Sequence, residues 1–408
     1  MTTQPKILAV NTVLEKTMND PVYDADPNDA LIPDGFEKVV PIVFATNNKY
    51  APYAGVAIQS IIEHMVQQNY YRIYVFHTGV DKNRIEQLNS LSNKQMRIQC
   101  IDVSPRIDTH CSNLYEKDYF TKEMYYRFII PEVLSFYDKV IYLDCDLIVE
   151  EDIANIIPAD MEGHYLAGVK NPISKGNVPI IERYLGISLK NYINSGVLVF
   201  NIRNCIKDGI VGKCFAMVSQ AAKKKYWCPD QDILNKVCYD RILLLPYKWN
   251  YMWQFLVEGT TEQKEAFQEC LDECGNNFSV LHFTSSVKPW SHPRYPLAKR
   301  FWHYARNSCF YEEILHNNLY NPETDGPITS ETAPERIRRL ESELAAARIE
   351  IAKTQKEIQN IHESWTYRIG RFITWLPRKI RGGMKCYQEH GWRYTWHRVL
   401  VHLRLKGD

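Results

Sequence analysis

Two aspartates separated by one residue, Asp144 and Asp146, are the pair in this chain whose position best suits metal binding. The Asp-x-Asp pattern alone is uninformative, since it recurs at residues 24–26 and 230–232. Only the pair Asp144 and Asp146 directly follows an apolar run, KVIYL, which is typical of a buried strand. Two carboxylates held close together in a partly buried site repel each other strongly unless a cation lies between them. The pattern therefore predicts a metal site at Asp144 and Asp146.

His282 is a candidate third ligand, because it ends another apolar run in the segment FSVLHFTSSVKPW. Taken alone, a histidine at such a position is more often structural. Carboxylate oxygens suit Mg²⁺ and Mn²⁺, and an added imidazole shifts the preference toward Mn²⁺. We therefore expect Mn²⁺, or alternatively Mg²⁺, if His282 joins the two aspartates.

The elements that would position these residues alternate between strands and helices. Apolar runs typical of strands occur in VVPIVFAT, RIYVFH, MRIQCIDV and KVIYL. Helical spacing of apolar residues occurs in AGVAIQSIIEHMV, NRIEQLNSL and YYRFIIPEVLSF. This alternation predicts an α/β domain with a mostly parallel sheet covered by helices on both faces. Ligands of such sheets bind beyond the carboxyl ends of the strands, where Asp144 is expected.

Composition along the 408 residues predicts one large domain with extensions at both ends. Residues 1–38 are polar and form an N-terminal extension, and the main domain is expected over residues 39–320. Residues 321–335, rich in Pro, Thr, Ser, Glu and Asp, are typical of a linker. Residues 336–362 carry a heptad pattern with Ala and Thr in its seam. This pattern is consistent with a homo-oligomeric coiled coil or with a single amphipathic helix folded back on the domain.

The last predicted segment, residues 363–408, is basic and rich in tryptophan. From residue 361 onward, ten Lys or Arg and three Asp or Glu give a local charge of +7, with four tryptophans among them. Basic residues interleaved with large aromatic rings suit an anionic membrane surface. The alternative is a basic helical cap on an oligomer.

The overall composition limits the class of protein. With 49 basic and 48 acidic residues the net charge is +1, which gives no reason to propose a nucleic-acid partner. The eleven cysteines are scattered and odd in number, which favours a reducing compartment over a disulfide framework. The N-terminus lacks the features of a secretory signal, and no run of 18 apolar residues occurs. We expect a cytoplasmic protein, either soluble or peripheral on the inner face of the cell membrane.

Six segments in a fixed order together resemble glycosyltransferase family 8, the retaining enzymes that include glycogenin and the bacterial lipopolysaccharide galactosyl- and glucosyltransferases. The segments are IVFATNNKYAPYAGVAIQSI, YYRFIIPEVL, KVIYLDCDLIVEED, YINSGVLVFN, PDQDILN and LHFTSSVKPW. The resemblance covers roughly residues 40–305. It implies a single GT-A domain, Rossmann-like with a mostly parallel central sheet, to which the C-terminal helical or coiled-coil extension is attached.

Carried over position by position, the resemblance makes Asp144, Asp146 and His282 the metal ligands that bridge the ion to the diphosphate of a UDP-sugar. Lys288 would contact phosphate, and Tyr50 would stack on uracil. The remaining nucleotide-sugar positions that the resemblance implies are Ala45, Thr46, Asn47, Arg127, Cys145, Asn171, Asn194, Ser195 and Ser285.

The chain departs from the pattern of the family it resembles at two places. Asn47 stands where relatives often carry Asp, although an amide offers both a donor and an acceptor for reading uracil. Lys170 and Asn171 fall near the place where a relative carries a sugar-binding Asp, which leaves the donor sugar open between glucose and galactose.

Asp230 and Gln231 match the family residues closest to the reacting carbon of the sugar, and both are predicted to be catalytic. Asp232 could instead cap the following helix. Retention of configuration, which the resemblance implies, allows a double displacement or a front-face attack. Because the amide of Gln231 is a poor nucleophile, front-face attack is favoured.

The expected function is transfer of glucose or galactose from a UDP-sugar to a glycan or lipid-linked acceptor in bacterial cell-envelope polysaccharide synthesis. The non-enzymatic alternative is a catalytically inactive UDP-sugar-binding scaffold that its tail recruits to the membrane. A sugar-nucleotide pyrophosphorylase is disfavoured, because no Gly-rich, Arg-containing loop follows the first strand.

Overall fold

The computed structural model divides the chain into two compact units, Met1–Asn321 and Pro322–Asp408. It describes residues 24–110, 122–221, 226–257, 259–275, 277–284, 286–319, 345, 351–356 and 392. In the second unit, residues 351–356 are helical and exposed. The rest of the predicted linker, heptad helix and basic tail lies outside the described residues, apart from residues 345 and 392.

The first unit alternates strands and helices along the chain. Its strands are β1 (Lys38–Ala45), β2 (Asn69–His77), β3 (Met96–Asp102), β4 (Lys139–Leu143), β5 (Leu147–Val149), β6 (Leu166–Lys170), β7 (Ile193–Asn201), β8 (Ile242–Leu245), β9 (Tyr251–Met252) and β10 (Val280–His282). Its α-helices are α1 (Ala51–Ile62), α2 (Lys82–Ser90), α3 (Ser104–His110), α4 (Ile130–Val133), α5 (Val178–Leu185), α6 (Ile202–Lys207), α7 (Ile210–Ala221), α8 (Pro229–Val237), α9 (Gln254–Val257), α10 (Thr261–Cys274), α11 (Ala298–Asn307) and α12 (Tyr311–Leu319). Shorter 3₁₀ helices span Pro27–Ala30, Lys122–Ile129, Ile153–Ile156 and Tyr247–Trp249.

Seven strands form the central sheet, in the order β3-β2-β1-β4-β7-β6-β8. Strands β3, β2, β1 and β4 pair in parallel, as do β6 and β8. Strand β7 is antiparallel to both of its neighbours. The prediction of a mostly parallel sheet is confirmed.

Each face of this sheet is covered, because apolar residues occupy both sides of the inner strands. In β1, Ile42 and Phe44 pack with α1, α11 and α12, whereas Val43 packs on the other face with α6, α7 and α8. All three side chains are fully buried. Burial of one such side chain stabilises the folded state by about 1.5–3 kcal/mol. The packed core therefore holds β1 and β4 in place, and because they are parallel both end at the same edge of the sheet.

A second, three-stranded sheet has the order β5-β10-β9. Strand β10 is antiparallel to β5, with His282 opposite Leu147, and parallel to β9, with His282 opposite Met252. This pairing returns a late part of the chain to the end of β4. His282 is thereby brought beside the residues that separate β4 from β5.

The helix predicted for YYRFIIPEVLSF is partly wrong. The segment forms the 3₁₀ helix Lys122–Ile129, followed by the single turn α4. Pro131 has no N–H to donate to the carbonyl of Arg127, so the chain cannot continue an α-helical hydrogen-bond pattern through this point. The proline instead occupies the first turn of α4, where a missing donor costs little.

Part of the predicted N-terminal extension packs on the main domain. Asp29 is 3% exposed and pairs with Arg72 at 3.1 Å. The hydroxyl of Tyr74 donates to Asp29 Oδ2 at 3.2 Å, and that of Tyr137 donates to the Asp29 carbonyl at 3.0 Å. Residues 1–23 of this extension lie outside the described residues.

Across the residues that the structure describes, every helix is too short or too polar to cross a lipid bilayer.

Candidate active site

The two predicted metal ligands of the Asp-x-Asp pair lie immediately beyond β4, at the carboxyl end of the sheet. The N–H of Asp144 donates to the carbonyl of Gly196 in β7 at 2.8 Å. The N–H of Phe283, just after β10, donates to the carbonyl of Asp146 at 2.8 Å. The backbone of the pair is therefore held between the two sheets.

Asp144, Asp146 and His282 come together as a cluster whose ligand atoms all lie within 4.8 Å of one another. His282 Nε2 is 3.2 Å from Asp146 Oδ1 and 3.8 Å from Asp144 Oδ2. Oxygen ligands lie about 2.1 Å from Mg²⁺, so two ligand atoms of one such ion are roughly 3 to 4 Å apart. Two carboxylates and one imidazole with these separations fit a divalent cation.

Gly196 in β7 is required for this close approach. A Cβ atom added to Gly196 would lie 2.2 Å from His282 Cε1 and 2.6 Å from Asp144 Oδ2. Any other residue type would displace one or both ligands. The glycine of YINSG is thus explained by space beside the metal cluster rather than by backbone conformation.

Lys288 lies beside the cluster, with its Nζ 2.5 Å from Asp146 Oδ2 and 2.6 Å from the carbonyl of Phe283. Burial alone would raise the pKa of the Asp146 carboxyl, but the neighbouring Lys288 ammonium and His282 imidazole hold this pKa well below its usual range. Asp146 is therefore ionised, which is the state that binding of a metal ion would require. The Lys288 ammonium is positioned at the edge of the same site.

Arg127 connects the metal cluster to the predicted catalytic segment. It is 5% exposed, and its guanidinium contacts Asp144 Oδ1 at 3.0 Å and Asp230 Oδ2 at 3.2 Å. The same group donates to the carbonyl of Ser195 at 2.5 Å and lies over the ring of Tyr142. Burial lowers the pKa of Arg127, but the nearby Asp144, Tyr142 and Asp230 together raise it above its ordinary value. Arg127 is a buried permanent cation.

Gln231 has most of its hydrogen-bonding capacity satisfied within the protein. Its Oε1 accepts from the N–H of Ser195 at 3.1 Å and from Asn194 Nδ2 at 3.2 Å. Its Nε2 donates to the hydroxyl of Tyr192 at 3.0 Å. One N–H of the Gln231 amide remains for a ligand.

Asp230 and Asp232, on either side of Gln231, have different environments. Asp230 Oδ2 accepts from Ser195 Oγ at 2.9 Å, in addition to its ion pair with Arg127. Asp232 lies inside the first turn of α8, not before it, so it is not the N-cap residue. Its carboxylate accepts from the N–H groups of Trp227 and Cys228, which precede the helix, and from the Tyr192 hydroxyl at 2.6 Å. Asp232 therefore stabilises the start of α8 in a manner close to a capping box.

The predicted nucleotide pocket lies where β1 leads into α1. Asn47 Oδ1 accepts from the N–H of Tyr50 at 3.0 Å, so the amide oxygen forms the turn into the helix. The Nδ2 group of Asn47 makes no hydrogen bond within the described part of the chain. The ring of Tyr50 meets the rings of Tyr53 and Trp290 edge to face. Cys145 Sγ donates to the carbonyl of Ala45 at 3.1 Å, which ties this turn to the metal-binding segment.

The remaining residues named from the sequence are Thr46, Lys170, Asn171 and Ser285, and the structure describes the first three of them. Thr46 is 1% exposed, and its N–H donates to the carbonyl of Phe76. Asn171 Oδ1 accepts from Asn194 Nδ2 at 3.3 Å, whereas Lys170 is paired with Glu269. Ser285 lies outside the described residues.

Asn250 and Tyr142 were not predicted from the sequence. Asn250 is fully buried and contacts His282 Nδ1 at 2.9 Å. The hydroxyl of Tyr142 donates to Asp144 Oδ1 at 2.6 Å. Tyr142 had a detectable signal, since it is a hydroxyl-bearing residue within the apolar strand, two positions before Asp144. A single asparagine after PYKW carries no comparable signal.

An open hollow lies on the side of Gln231 that includes Asn171 and the start of α8. Trp227 at this hollow is 55% exposed. The side chains of Ser174 and Asn177 make no hydrogen bond to any part of the chain that the structure describes. The lining also includes Ile173, Ile181, Tyr192, Gln254, Phe255 and Gln263. Amide and hydroxyl groups beside an exposed indole ring are suited to a sugar, which presents hydroxyls at its edge and C–H groups on its faces.

Sequence comparison relates this region to known proteins. A family model described as Glycosyl transferase family 8 matches residues 41–293, more than half of the chain. General stress protein A of Bacillus subtilis (strain 168) is 24% identical over 273 residues, which cover 66% of this chain and 93% of that protein. Lipopolysaccharide 1,2-glucosyltransferase of Escherichia coli is 26% identical over 255 residues, which cover 61% of this chain and 72% of that protein.

Structural comparison finds solved proteins of similar fold. The apo structure of the bifunctional glycosyltransferase WbbM aligns with a TM-score of 0.59 at 23% identity. The alignment covers 71% of this chain and 53% of WbbM, so this chain spans about half of that protein. The galactosyltransferase LgtC in complex with donor and acceptor sugar analogues aligns with a TM-score of 0.53 at 21% identity, covering 66% of this chain and 96% of LgtC. These likenesses confirm the predicted GT-A fold.

Proposed function

Because this chain belongs to glycosyl transferase family 8, we propose that it transfers a hexose, glucose or galactose, from a UDP-sugar to a glycan or lipid-linked acceptor with retention of configuration. The proposal rests mainly on one observation. Asp144, Asp146 and His282 converge at the carboxyl end of the central sheet, directly beside the cations Lys288 and Arg127. Such a site suits a diphosphate that gains negative charge as it departs.

The nucleotide would occupy the turn between β1 and α1. Tyr50, supported by the rings of Tyr53 and Trp290, offers a surface on which uracil can stack. Because Asn47 Oδ1 already accepts a hydrogen bond from the N–H of Tyr50, the Nδ2 group of Asn47 is the part suited to bind a carbonyl of uracil. This assignment accounts for an amide at a position where relatives often carry a carboxylate.

Asp144, Asp146 and His282 would hold Mn²⁺, or Mg²⁺, next to the diphosphate. When bound, the ion would stabilise the charge that develops on the leaving group. Lys288 would turn from Asp146 toward a phosphate oxygen and add to that stabilisation. The ionised state of Asp146 favours binding of the cation without prior loss of a proton.

The reaction is proposed to proceed by front-face attack. The bond between the anomeric carbon and the diphosphate oxygen breaks, the acceptor hydroxyl attacks that carbon from the same face, and its proton passes to the departing oxygen. Gln231 Oε1 accepts two hydrogen bonds and Asp230 is paired with Arg127, so both groups are poor nucleophiles. They would orient the sugar, and Arg127 would stay between Asp144 and Asp230 throughout.

The acceptor would enter the hollow beside Gln231. Trp227 could stack on one face of an acceptor sugar, while Ser174 and Asn177 offer unused hydrogen-bonding groups. Gln231 lines this hollow and is also the residue predicted to lie next to the donor sugar, so a hydroxyl bound there would be close to the reacting carbon.

The cellular setting is proposed from the sequence. The basic, Trp-rich segment 363–408 suits the anionic inner face of a bacterial membrane, where lipid-linked envelope glycans such as lipopolysaccharide or capsule precursors are built. The heptad segment 336–362 suits a homo-oligomer. Vesicle co-sedimentation at low and high salt, and light scattering of the full chain, would test these two points.

The test of the function is UDP release by the purified chain with Mn²⁺, across a panel of UDP-sugars and without added acceptor. We expect slow hydrolysis of one UDP-sugar, lost in Asp146→Asn and retained in Asp34→Asn, an exposed aspartate elsewhere on the domain. If hydrolysis is absent, calorimetry with UDP decides. Mn²⁺-dependent UDP binding without turnover on any acceptor would favour the inactive scaffold, and absence of UDP binding would contradict both functions.

A further inference from the structure

Asn250 lies between the metal cluster and the sugar-binding side chains, although it is expected to touch neither metal nor sugar. It follows the 3₁₀ helix Tyr247–Trp249, directly before β9, and is fully buried. Its Oδ1 is 2.9 Å from His282 Nδ1, and its Nδ2 is 2.9 Å from Asn194 Oδ1. One amide group therefore contacts both halves of the site.

The direction of the first hydrogen bond follows from the chemistry of the amide. Asn250 Nδ2 donates to Asn194, so Oδ1 is the atom that faces His282. An amide oxygen only accepts, so His282 Nδ1 must carry the proton. The nitrogen left to bind a cation is Nε2, which is the atom that faces Asp144 and Asp146. The contact with Asn250 thus selects the ring tautomer that the metal site requires.

The second hydrogen bond extends toward Gln231. Asn194 Oδ1 accepts from Asn250 and from the N–H of Gly196, which leaves Asn194 Nδ2 as a donor to Gln231 Oε1 at 3.2 Å. Gln231 Nε2 in turn donates to the Tyr192 hydroxyl. Backbone N–H groups support the same orientations, since Gly196 donates to Asn194 Oδ1 and Ser195 donates to Gln231 Oε1.

The chain of hydrogen bonds ends at a fixed acceptor. The hydroxyl of Tyr192 donates to Asp232 Oδ1 at 2.6 Å, and the other oxygen of Asp232 accepts two backbone N–H groups. A carboxylate with these donors sets the direction of the whole series, which runs from His282 to Asp232. Reversing any one amide would place two acceptors or two donors opposite each other at both of its ends.

From this arrangement, and resting on the proposed function, we infer that Asn250 is a positioning residue with two separable roles. Its oxygen holds the His282 tautomer that leaves Nε2 available to Mn²⁺. Its N–H group holds Asn194, and through Asn194 it orients the amide of Gln231 next to the donor sugar. Occupation of the metal site and orientation of the sugar are thereby linked through one side chain.

Two substitutions separate these roles. Asn250→Leu keeps a similar volume but removes both hydrogen bonds. Asn250→Asp keeps an acceptor for His282 and replaces the donor to Asn194 with an oxygen that repels Asn194 Oδ1. A matched control, Asn89→Asp, places the same charge change on the exposed face of α2. Thermal unfolding of all three full-length variants shows whether they fold.

The first measurement is NMR of ¹⁵N-histidine-labelled protein without metal or nucleotide, with the His282 signal assigned by its absence in His282→Gln. We expect a slowly exchanging proton on His282 Nδ1 in the wild type and in Asn250→Asp, and its loss in Asn250→Leu. A protonated, protected Nδ1 in Asn250→Leu would overturn the tautomer role. This readout needs neither Mn²⁺ nor UDP, so it distinguishes failure of this inference from failure of the proposed function.

The second measurement compares Mn²⁺ affinity with the rate of UDP-sugar hydrolysis. Loss of a partner that orients a metal-binding histidine lowers metal affinity or activity by about 10- to 100-fold. We expect such a loss of Mn²⁺ affinity in Asn250→Leu and none in Asn250→Asp, whereas hydrolysis at saturating Mn²⁺ falls in both. Wild-type hydrolysis in Asn250→Asp would overturn the link to Gln231, whether or not Asn250→Leu folds.

Discussion

Asp146 and His282 stand 136 positions apart in the chain, yet Asp146 Oδ1 lies 3.2 Å from His282 Nε2. The antiparallel pairing of β10 with β5 produces this approach, because it sets His282 opposite Leu147, the residue that follows Asp146. Asp146 directly precedes β5 and His282 is the last residue of β10, so the pairing of these two strands alone places the two side chains next to each other. The proposed metal site is therefore a direct result of strand register.

Replacing the histidine of this pair should weaken metal binding selectively. His282→Gln removes the imidazole nitrogen but keeps a polar side chain of similar reach. We expect Mn²⁺ affinity, measured by calorimetry in the presence of UDP, to fall at least 10-fold. The control His164→Gln lies in a surface turn and should bind Mn²⁺ as the wild type does. Equal affinities in the two variants would remove His282 from the ligand set.

Two glycine substitutions should have opposite effects on the free energy of unfolding. In Gly196→Ala the added methyl would meet His282 and Asp144, so we expect a loss of about 1–3 kcal/mol together with weaker Mn²⁺ binding. In Gly212→Ala, within α7, nothing lies within 4 Å of the added methyl, and a gain of about 0.5–1 kcal/mol is expected. Urea denaturation provides both values. Comparable stability of the two variants would contradict the crowding argument.

Trp227→Ala tests the proposed acceptor hollow. Loss of a stacking surface worth about 0.5–1.5 kcal/mol should raise the KM for a sugar acceptor roughly 2- to 10-fold. Hydrolysis of the UDP-sugar without acceptor should remain at the wild-type rate. Tyr239→Ala, an exposed aromatic residue beyond the other end of α8, serves as the control. A change in the KM for the donor instead would assign Trp227 to the donor site.

Asp29→Asn tests whether the described part of the N-terminal extension belongs to the folded domain. The substitution leaves the side chain of Arg72, which is 11% exposed, without its ionised partner. Leaving a charged group unsatisfied in this way costs about 1–3 kcal/mol. We expect a lower midpoint in thermal and urea unfolding. Asp34→Asn, an exposed residue of the same segment, should unfold as the wild type does.

His77 should contribute a pH dependence to stability. Burial lowers the pKa of His77, which is 4% exposed, below its ordinary value of 6.5. Between the lowered folded-state pKa and 6.5, the unfolded chain binds more protons at this residue than the folded chain does. The free energy of unfolding should therefore fall as pH decreases below 6.5, with a slope of at most about 1.4 kcal/mol per pH unit.

His77→Gln removes this contribution. Unfolding curves measured from pH 5 to 8 should show a smaller slope below pH 6.5 for the variant than for the wild type. The difference between the two proteins isolates His77 from the other histidines. Parallel curves would indicate that His77 titrates alike in the folded and unfolded chains.

The sequence allowed the sheet and the place of Asp144 to be predicted because both depend on local patterns. An apolar run such as KVIYL can be recognised without knowledge of its partners, and the next residue must lie at the end of that strand. The prediction of a continuous α-helix through Pro131 was wrong for an equally local reason. The spacing of apolar residues gives no sign that the proline lacks an N–H to donate. Here the pattern of apolar residues identified a buried segment but not its hydrogen bonding.

The site residues that escaped prediction depend on contacts between distant segments. Nothing near Asn250 in the sequence indicates that it would meet His282 and Asn194, because those contacts require the registers of both sheets. The environment of Gln231 in α8 likewise depends on Asn194 and Ser195 in β7. Residue type can suggest a chemical role, but hydrogen-bond partners of this kind arise only from the three-dimensional fold.

The separation of Asp146 from His282 also has a consequence for biosynthesis. At about 5–20 residues per second, the ribosome would add the 136 positions between them over roughly 7 to 27 s. During that interval the nascent chain carries the carboxylates without the imidazole, and β5 lacks its neighbour β10. Completion of the proposed ion-binding triad would thus be among the last events of co-translational folding. A cation could contact all three side chains only after the domain has been translated almost to its end.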